Sequence, residues 1–161
     1  TAKDLLALPT SRTKILNAKF LVMVFWCVLL VLSNLAIAGL LGVLLHLSAI
    51  DLDWLMPSLT AYFITTGLTI LSVIPIAFFA LWGKGYLAPL GFVALILVFA
   101  QVIAATGYGS YFPWSVPGLY SGAGGEYKML LDKYSYGIVF LTGIAGYAAT
   151  LRYWNYADQT K

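Results

Sequence analysis

FLVMVFWCVLLVLSNLAIAGLLGVLLHL, residues 20–47, contains no Asp, Glu, Lys or Arg. As a helix rising about 1.5 Å per residue it is about 42 Å long. A bilayer core is about 30 Å thick and needs about 20 mainly apolar residues to cross it. The stretch therefore reads as a membrane span that tilts or protrudes at one end. It is too long for the apolar region of a signal peptide, about 7–15 residues, and no small-residue cleavage site interrupts it.

Three more stretches of spanning length follow, at residues 59–82, 87–106 and 134–153. Their apolar text reads AYFITTGLTILSVIPIAFFALW (61–82), LAPLGFVALILVFAQVIAAT (87–106) and YSYGIVFLTGIAGYAATLRY (134–153). None shows the period-two alternation of a barrel strand, and only helices otherwise satisfy the backbone in lipid. The expected fold is all-α, a polytopic membrane protein with four transmembrane helices. Composition agrees: 61% of residues are hydrophobic and 9% charged, against about 25% charged in a soluble domain. The chain reads as one transmembrane domain, residues 1–161. Around the spans lie an N-terminal segment (1–19), a long loop (107–133) and a tail (154–161).

The cations orient these spans. Lys3, Arg12, Lys14 and Lys19 precede the first span, Lys84 lies in the turn after the second, and Arg152 and Lys161 end the chain. Only Lys128 and Lys133 fall on the other side, where the first loop has Asp51 and Asp53. Seven cations against two place both termini in the cytoplasm.

Most chemistry is excluded by inventory. Cys27 is the only cysteine and His46 the only histidine, so an intrachain disulfide, a cysteine metal site and paired haem histidines are all impossible. No phosphate-binding loop or His-Glu-x-x-His motif occurs. Ser110, in GYGSYF (107–112), is followed by Tyr-Phe-Pro rather than by the setting of a membrane serine protease, and reads as turn chemistry. No catalytic residue, cofactor site or metal site is expected. No basic cluster is dense enough to track nucleic acid. No charge lies deep in a span, so a proton- or ion-coupled carrier is disfavoured and driving energy must come from elsewhere.

What remains is uncharged polarity. Ser58, Tyr62, Thr65, Thr69 and Ser72 recur at spacings of four and three, on one face of the second span. Asn34 and Gln101 add an amide each to the first and third spans. Two readings stay open: bonding between packed helices, or the lining of a translocation route. Pro75 is expected to bend the second span, with nearby Ser or Thr covering the freed carbonyls. Thr142, Gly146 and Thr150 form a small-residue ridge on the fourth span, suited to close contact within the chain or with a second copy.

The flanking segments are unusual too. Residues 107–133 are rich in Gly, Pro and aromatics, and Tyr108, Tyr111, Trp114 and Tyr120 suit a membrane boundary. Tyr127, Leu130, Leu131 and Tyr134 share a helical face and predict a short interfacial helix. The loop is expected to dip back into the outer interface and return. In front of the first span, Leu5, Leu6 and Leu8 form a short apolar face that Pro9 ends. Ser11 or Thr10 can cap a helix running into the span. The segment is either a basic leader that sets topology or a docking element for a partner protein.

KDLLALPTSRTKILNAKF (3–20) and APLGFVALILVFAQVIAATGYGSYFPWSVPGLYSG (88–122) together resemble the permease subunits of bacterial ABC transporters of the type-2 exporter class, especially the bacitracin-export-like permeases. The resemblance covers nearly the whole chain. It implies a membrane-spanning permease subunit that moves an amphiphilic substrate (a peptide antibiotic, drug or lipid) across a bacterial inner membrane. Implied partners are a separate ATP-binding-cassette ATPase subunit and a second permease copy or homologue, within a lipid bilayer. Such permeases have six spans, a cytoplasmic coupling helix between the second and third, and external re-entrant helices before the last. With four spans, this chain is expected to correspond to the C-terminal two-thirds of one. The resemblance makes Lys3, Asp4, Leu5, Leu6, Leu8 and Pro9 the ATPase-coupling segment. Tyr62, Thr65, Thr69, Ser72, Asn34 and Gln101 are the candidate pathway lining. The alternative is a non-transport structural or scaffold subunit of a membrane complex.

Overall fold

The computed structural model describes residues 11–46, 52–83, 85–123 and 131–156. Helix α1 spans Arg12–Leu44, α2 Leu52–Val73, α3 Ile76–Trp82 and α4 Leu87–Ala105. A 3-10 turn at Gly109–Tyr111 and the short α5, Val116–Tyr120, lead to α6, Lys133–Tyr156. No strand occurs among the described residues. Four helical stretches are long and apolar enough to cross a membrane: α1, α2 with α3 (Asp53–Trp82), α4 and α6. The protein is a multi-pass, all-α membrane protein.

Local sequence sets the ends of these helices. Ser11 stands at the N-cap of α1 in an extended conformation, φ −64° and ψ 142°, although its hydroxyl makes no capping bond. The helix thus starts eight residues before the apolar run at Phe20. It ends where His46 turns to φ 49°, a left-handed conformation that cannot continue a helix. Asp132 caps α6: its Oδ1 accepts from the backbone N–H of Tyr134 at 2.9 Å and of Ser135 at 3.0 Å. This cap corrects the expected helical face ending at Tyr134. Residues 131–132 are not helical, and Leu131 turns inward while Tyr134 belongs to α6. Tyr127 and Leu130 lie outside the described residues.

Pro75 breaks the second span, as its missing N–H dictates. Helix α2 stops at Val73, and two short-range bonds restart the chain as α3, from Ala77 N–H to Ile74 O and Phe78 N–H to Pro75 O, each 3.1 Å. Helix α6 packs against this break through glycine. A Cβ at Gly146 would stand 2.6 Å from Cα and Cγ of Pro75, and one at Gly143 would stand 3.1 Å from Leu71 O. Of the expected ridge, Gly146 and Thr150 are buried, while Thr142 is half-buried and Gly143 takes its place against Leu71 of α2; the glycines pack within the chain.

Leu68, Val116 and Val139 form the buried core, with Leu71, Tyr120 and Leu131 against it. Because Val116 follows α4 by eleven residues, the chain turns back between α2 and α6 instead of leaving the bundle. The register of α2 against α6 explains the space it fills. Val139 meets Leu68 and Gly146 meets Pro75, so the two helices run parallel and Lys133 is level with Tyr62. The part of α2 before Tyr62 therefore continues about 15 Å past the start of α6. Outward-facing α1 is almost wholly unburied, with Leu21, Phe25, Leu30, Leu40 and Val43 exposed. Lipid or protein must cover such a surface.

Candidate functional site

Helix periodicity puts the hydroxyls of α2 on one face, but most of them turn back onto their own helix. Ser58 donates to Trp54 O at 2.8 Å and Thr69 to Thr65 O at 2.8 Å. Such back-bonding satisfies the hydroxyl and leaves a polar surface that binds no neighbour tightly. Only two members reach another segment. Tyr62 donates to Val31 O of α1 at 2.9 Å, and the buried Ser72 hydroxyl, bonded to Leu68 O at 2.9 Å, also lies 3.3 Å from Pro113 O. Thr65 Oγ1 is buried and makes no hydrogen bond among the described residues, a state that costs free energy unless something polar meets it.

Three grooves border this face. One of about 420 Å³ lies between α1 and α2 and brings Asn34 together with Tyr62, Thr65, Thr69 and Cys27. A second, of about 350 Å³, lies between α2, α4 and the returning segment and brings Gln101 together with Thr69, Ser72, Trp114 and Ser115. A third, of about 530 Å³, runs along the protruding part of α2, where Asp53, Ser58, Tyr62, Thr65 and Ser121 meet. Thr65 joins the first to the third, and Thr69 joins the first to the second. The two amides do not meet: α2 stands between Asn34 and Gln101, each exposed on its own helix.

Trp114 is a functional candidate that its sequence position marks only as a boundary aromatic. The end of α2 leaves its last carbonyls without intrahelical donors. Trp114 Nε1 donates to one of them, Ser72 O, at 2.8 Å. The expected cover for the break was a Ser or Thr; at Ser72 O it is an indole, because the returning segment passes there and the Thr69 and Ser72 hydroxyls donate to carbonyls of their own preceding turn. Ser115 fixes that segment from the other side, donating to Ala100 O of α4 at 3.0 Å. The signal in the sequence was Pro75 itself: it denies Leu71 O its donor and, by breaking the helix, leaves Ser72 O open to a donor from outside.

The start of α1 and the end of α6 lie together. Arg12 Nη1 donates to Asn155 O at 3.3 Å and Trp154 Nε1 to Arg12 O at 2.8 Å. Tyr147 donates to Asn17 Oδ1 at 2.7 Å, and Lys19 Nζ sits 4.7 Å from the Trp154 ring centre. Lys3, Asp4, Leu5, Leu6, Leu8 and Pro9 lie outside the described residues. Among the described residues no group of three His, Cys, Asp or Glu could hold a metal ion.

Comparison with known proteins adds two findings. A family model described as ABC-2 family transporter protein matches residues 1–101, which include Asn34, Tyr62, Thr65, Thr69, Ser72 and Gln101. The bacitracin transport permease protein BCRB of Bacillus licheniformis is 27% identical over 158 residues, 98% of this chain and 76% of that protein. No solved structure matches.

Proposed function

This chain belongs to the ABC-2 family of transporter proteins, and from that premise we propose that it is the permease of an ATP-driven exporter of amphiphilic peptides. The observation that carries the reading is the hydroxyl face of α2, which borders three grooves while its hydroxyls mostly bond to their own helix. A path of this kind offers polar contacts with a charge only at its Asp53 end, and none in the two grooves between the helices to trap the cargo. The buried, unbonded Thr65 Oγ1 is a donor that a passing amide or hydroxyl can use. The bacitracin permease among the relatives favours a peptide antibiotic as cargo.

In this reading ATP is hydrolysed on a separate subunit, and Lys3–Pro9 docks into it just ahead of α1. Closure of the ATPase dimer pulls on α1, whose inner end is tied to α6 through Arg12, Asn17 and Lys19. Coupling arises because the two permease conformations differ in affinity for the ATP-bound ATPase. Both termini face the cytoplasm of a bacterial inner membrane. This is supported by the adjacency of the start of α1 and the end of α6, and by Arg12, Lys14, Lys19 and Arg152 at that end.

The test is co-purification with the cognate ATPase, followed by bacitracin-stimulated ATP hydrolysis in proteoliposomes. Thr65→Leu, which fills the path and removes its free hydroxyl, is expected to weaken the stimulation while leaving assembly intact. Failure to capture any ATPase leaves a structural subunit as the correct reading. Capture with no response to Thr65→Leu places the path elsewhere.

A further inference from the structure

We infer that Trp114 is the positioning residue of the bend in the second span, holding α3 at a fixed angle to α2 and tying that angle to the segment after α4. Its place in transport rests on the exporter reading above; its effect on the bend does not. The residue is linked to both sides of the break, directly to α2 and through Phe92 of α4 to α3. On one side its indole N–H holds Ser72 O in the last turn of α2 at 2.8 Å, while Pro113 O lies 3.3 Å from the Ser72 hydroxyl. On the other side its ring meets Phe92 of α4 edge-on, with centres 6.0 Å apart. Phe92 stacks at 3.7 Å on Phe79 of α3. Trp114 is thus a strut from the outer half of the span to the inner half.

The break alone does not set the angle. Proline removes one backbone bond and leaves the two halves free to pivot. Helix α6 touches both halves, through Gly143 at Leu71, Gly146 at Pro75 and Tyr153 at Phe78, but these are packing contacts without a directional bond. The Trp114 indole supplies a directional bond to the last turn of α2, and its ring limits how far Phe79 can swing. Ser115, bonded to Ala100 O at 3.0 Å, and the wholly buried Val116 keep the strut from moving by itself. When the segment shifts, for example as cargo leaves through the grooves beside it, the bend must change with it. A movement of the bend likewise reaches Trp114.

The experiment uses spin labels at Thr60 of α2 and Ala80 of α3, both exposed, in a Cys27→Ser background in nanodiscs, with and without the ATPase. Trp114→Phe retains an aromatic ring and removes the N–H donor together with the five-membered ring that carries it. It is expected to broaden the 60–80 distance distribution and to raise the population of minor distances about tenfold, the most that one hydrogen bond commonly sets. In a Pro75→Ala background a regular helix returns Ile76 N–H to Ser72 O as its own i−4 donor, so the effect of Trp114→Phe should vanish. With the ATPase present, transport per ATP hydrolysed should fall for Trp114→Phe at unchanged ATPase binding, a readout that loss of folded protein does not move. Ser72→Ala, which removes the weaker bond to Pro113, should shift the distribution in the same direction by less. It decides alone if Trp114→Phe is not recovered. An unchanged distribution, or effects of Trp114→Phe and Pro75→Ala that simply add, overturns the inference. Loss of ATPase coupling by every variant and by the parent protein alike overturns the exporter reading and leaves the distance arm standing.

Discussion

Gly146→Ala should be the most damaging of three alanine substitutions along α6. The added Cβ would stand 2.6 Å from Cα and Cγ of Pro75 and 2.8 Å from its nitrogen. These atoms belong to a backbone and a rigid ring, so none can swing aside, and the helices must separate by about 1 Å to reach ordinary contact. Overpacking of this kind costs about 1–3 kcal/mol. Replacing a helical glycine by alanine returns about 1 kcal/mol of propensity, which leaves a net loss of up to about 2 kcal/mol. At Gly143 the Cβ would meet Leu71 O at 3.1 Å, a gap that a shift of a few tenths of an ångström relieves, so the two effects roughly cancel. At Gly137 a Cβ meets nothing within 4 Å, and only the gain remains. Reversible unfolding by SDS in mixed micelles, followed by circular dichroism, reads the three against the parent. The expected order of stability is Gly137→Ala, then Gly143→Ala near the parent, then Gly146→Ala. If Gly146→Ala is as stable as Gly137→Ala, α6 does not pack on the Pro75 break and the register drawn from it is wrong.

Tyr62→Phe removes the 2.9 Å bond to Val31 O, worth about 0.5–1.5 kcal/mol, and should loosen α1 from α2. Cys27 lines the same groove, so its reaction with a membrane-permeant maleimide should quicken several-fold; an unchanged rate shows that Tyr62 does not pin α1. Asp132→Ala removes the acceptor of two backbone N–H groups at the start of α6, a loss of about 0.5–2 kcal/mol. Amide exchange at Tyr134 and Ser135 should accelerate while that at Val139 holds, and equal protection in both proteins refutes the cap.

Much of this architecture is local and therefore legible. The long charge-free run at residues 20–47, with three others like it, determines a four-helix membrane protein because lipid accepts no unpaired backbone. Ser11 marks the start of α1 and Pro75 the break in the second span for equally local reasons, an extended cap and a missing donor. The stripe from Ser58 to Ser72 could be read as one face, since helical period alone aligns it. Asp132 was missed although its signal was local: an acidic residue three before Ser135 is a cap, and the apolar period through Leu131 and Tyr134 obscured it.

The remainder depends on how helices face one another, which apolar sequence does not encode. In water the buried face of a helix is its apolar one; in lipid the spanning parts of α1 and α4 carry little besides Ser33, Asn34 and Gln101 that is not apolar, so their text says little about which side meets protein. Tertiary packing alone decided that Asn34 and Gln101 stand on opposite sides of α2. It likewise turned Gly143 of α6 toward Leu71 and Gly146 toward Pro75. It also brought Trp114 to Ser72 across 42 positions of chain. A proline determines that the helix breaks and its last turn loses regular bonding, but only the path of the chain after α4 determines which side chain reaches Ser72 O.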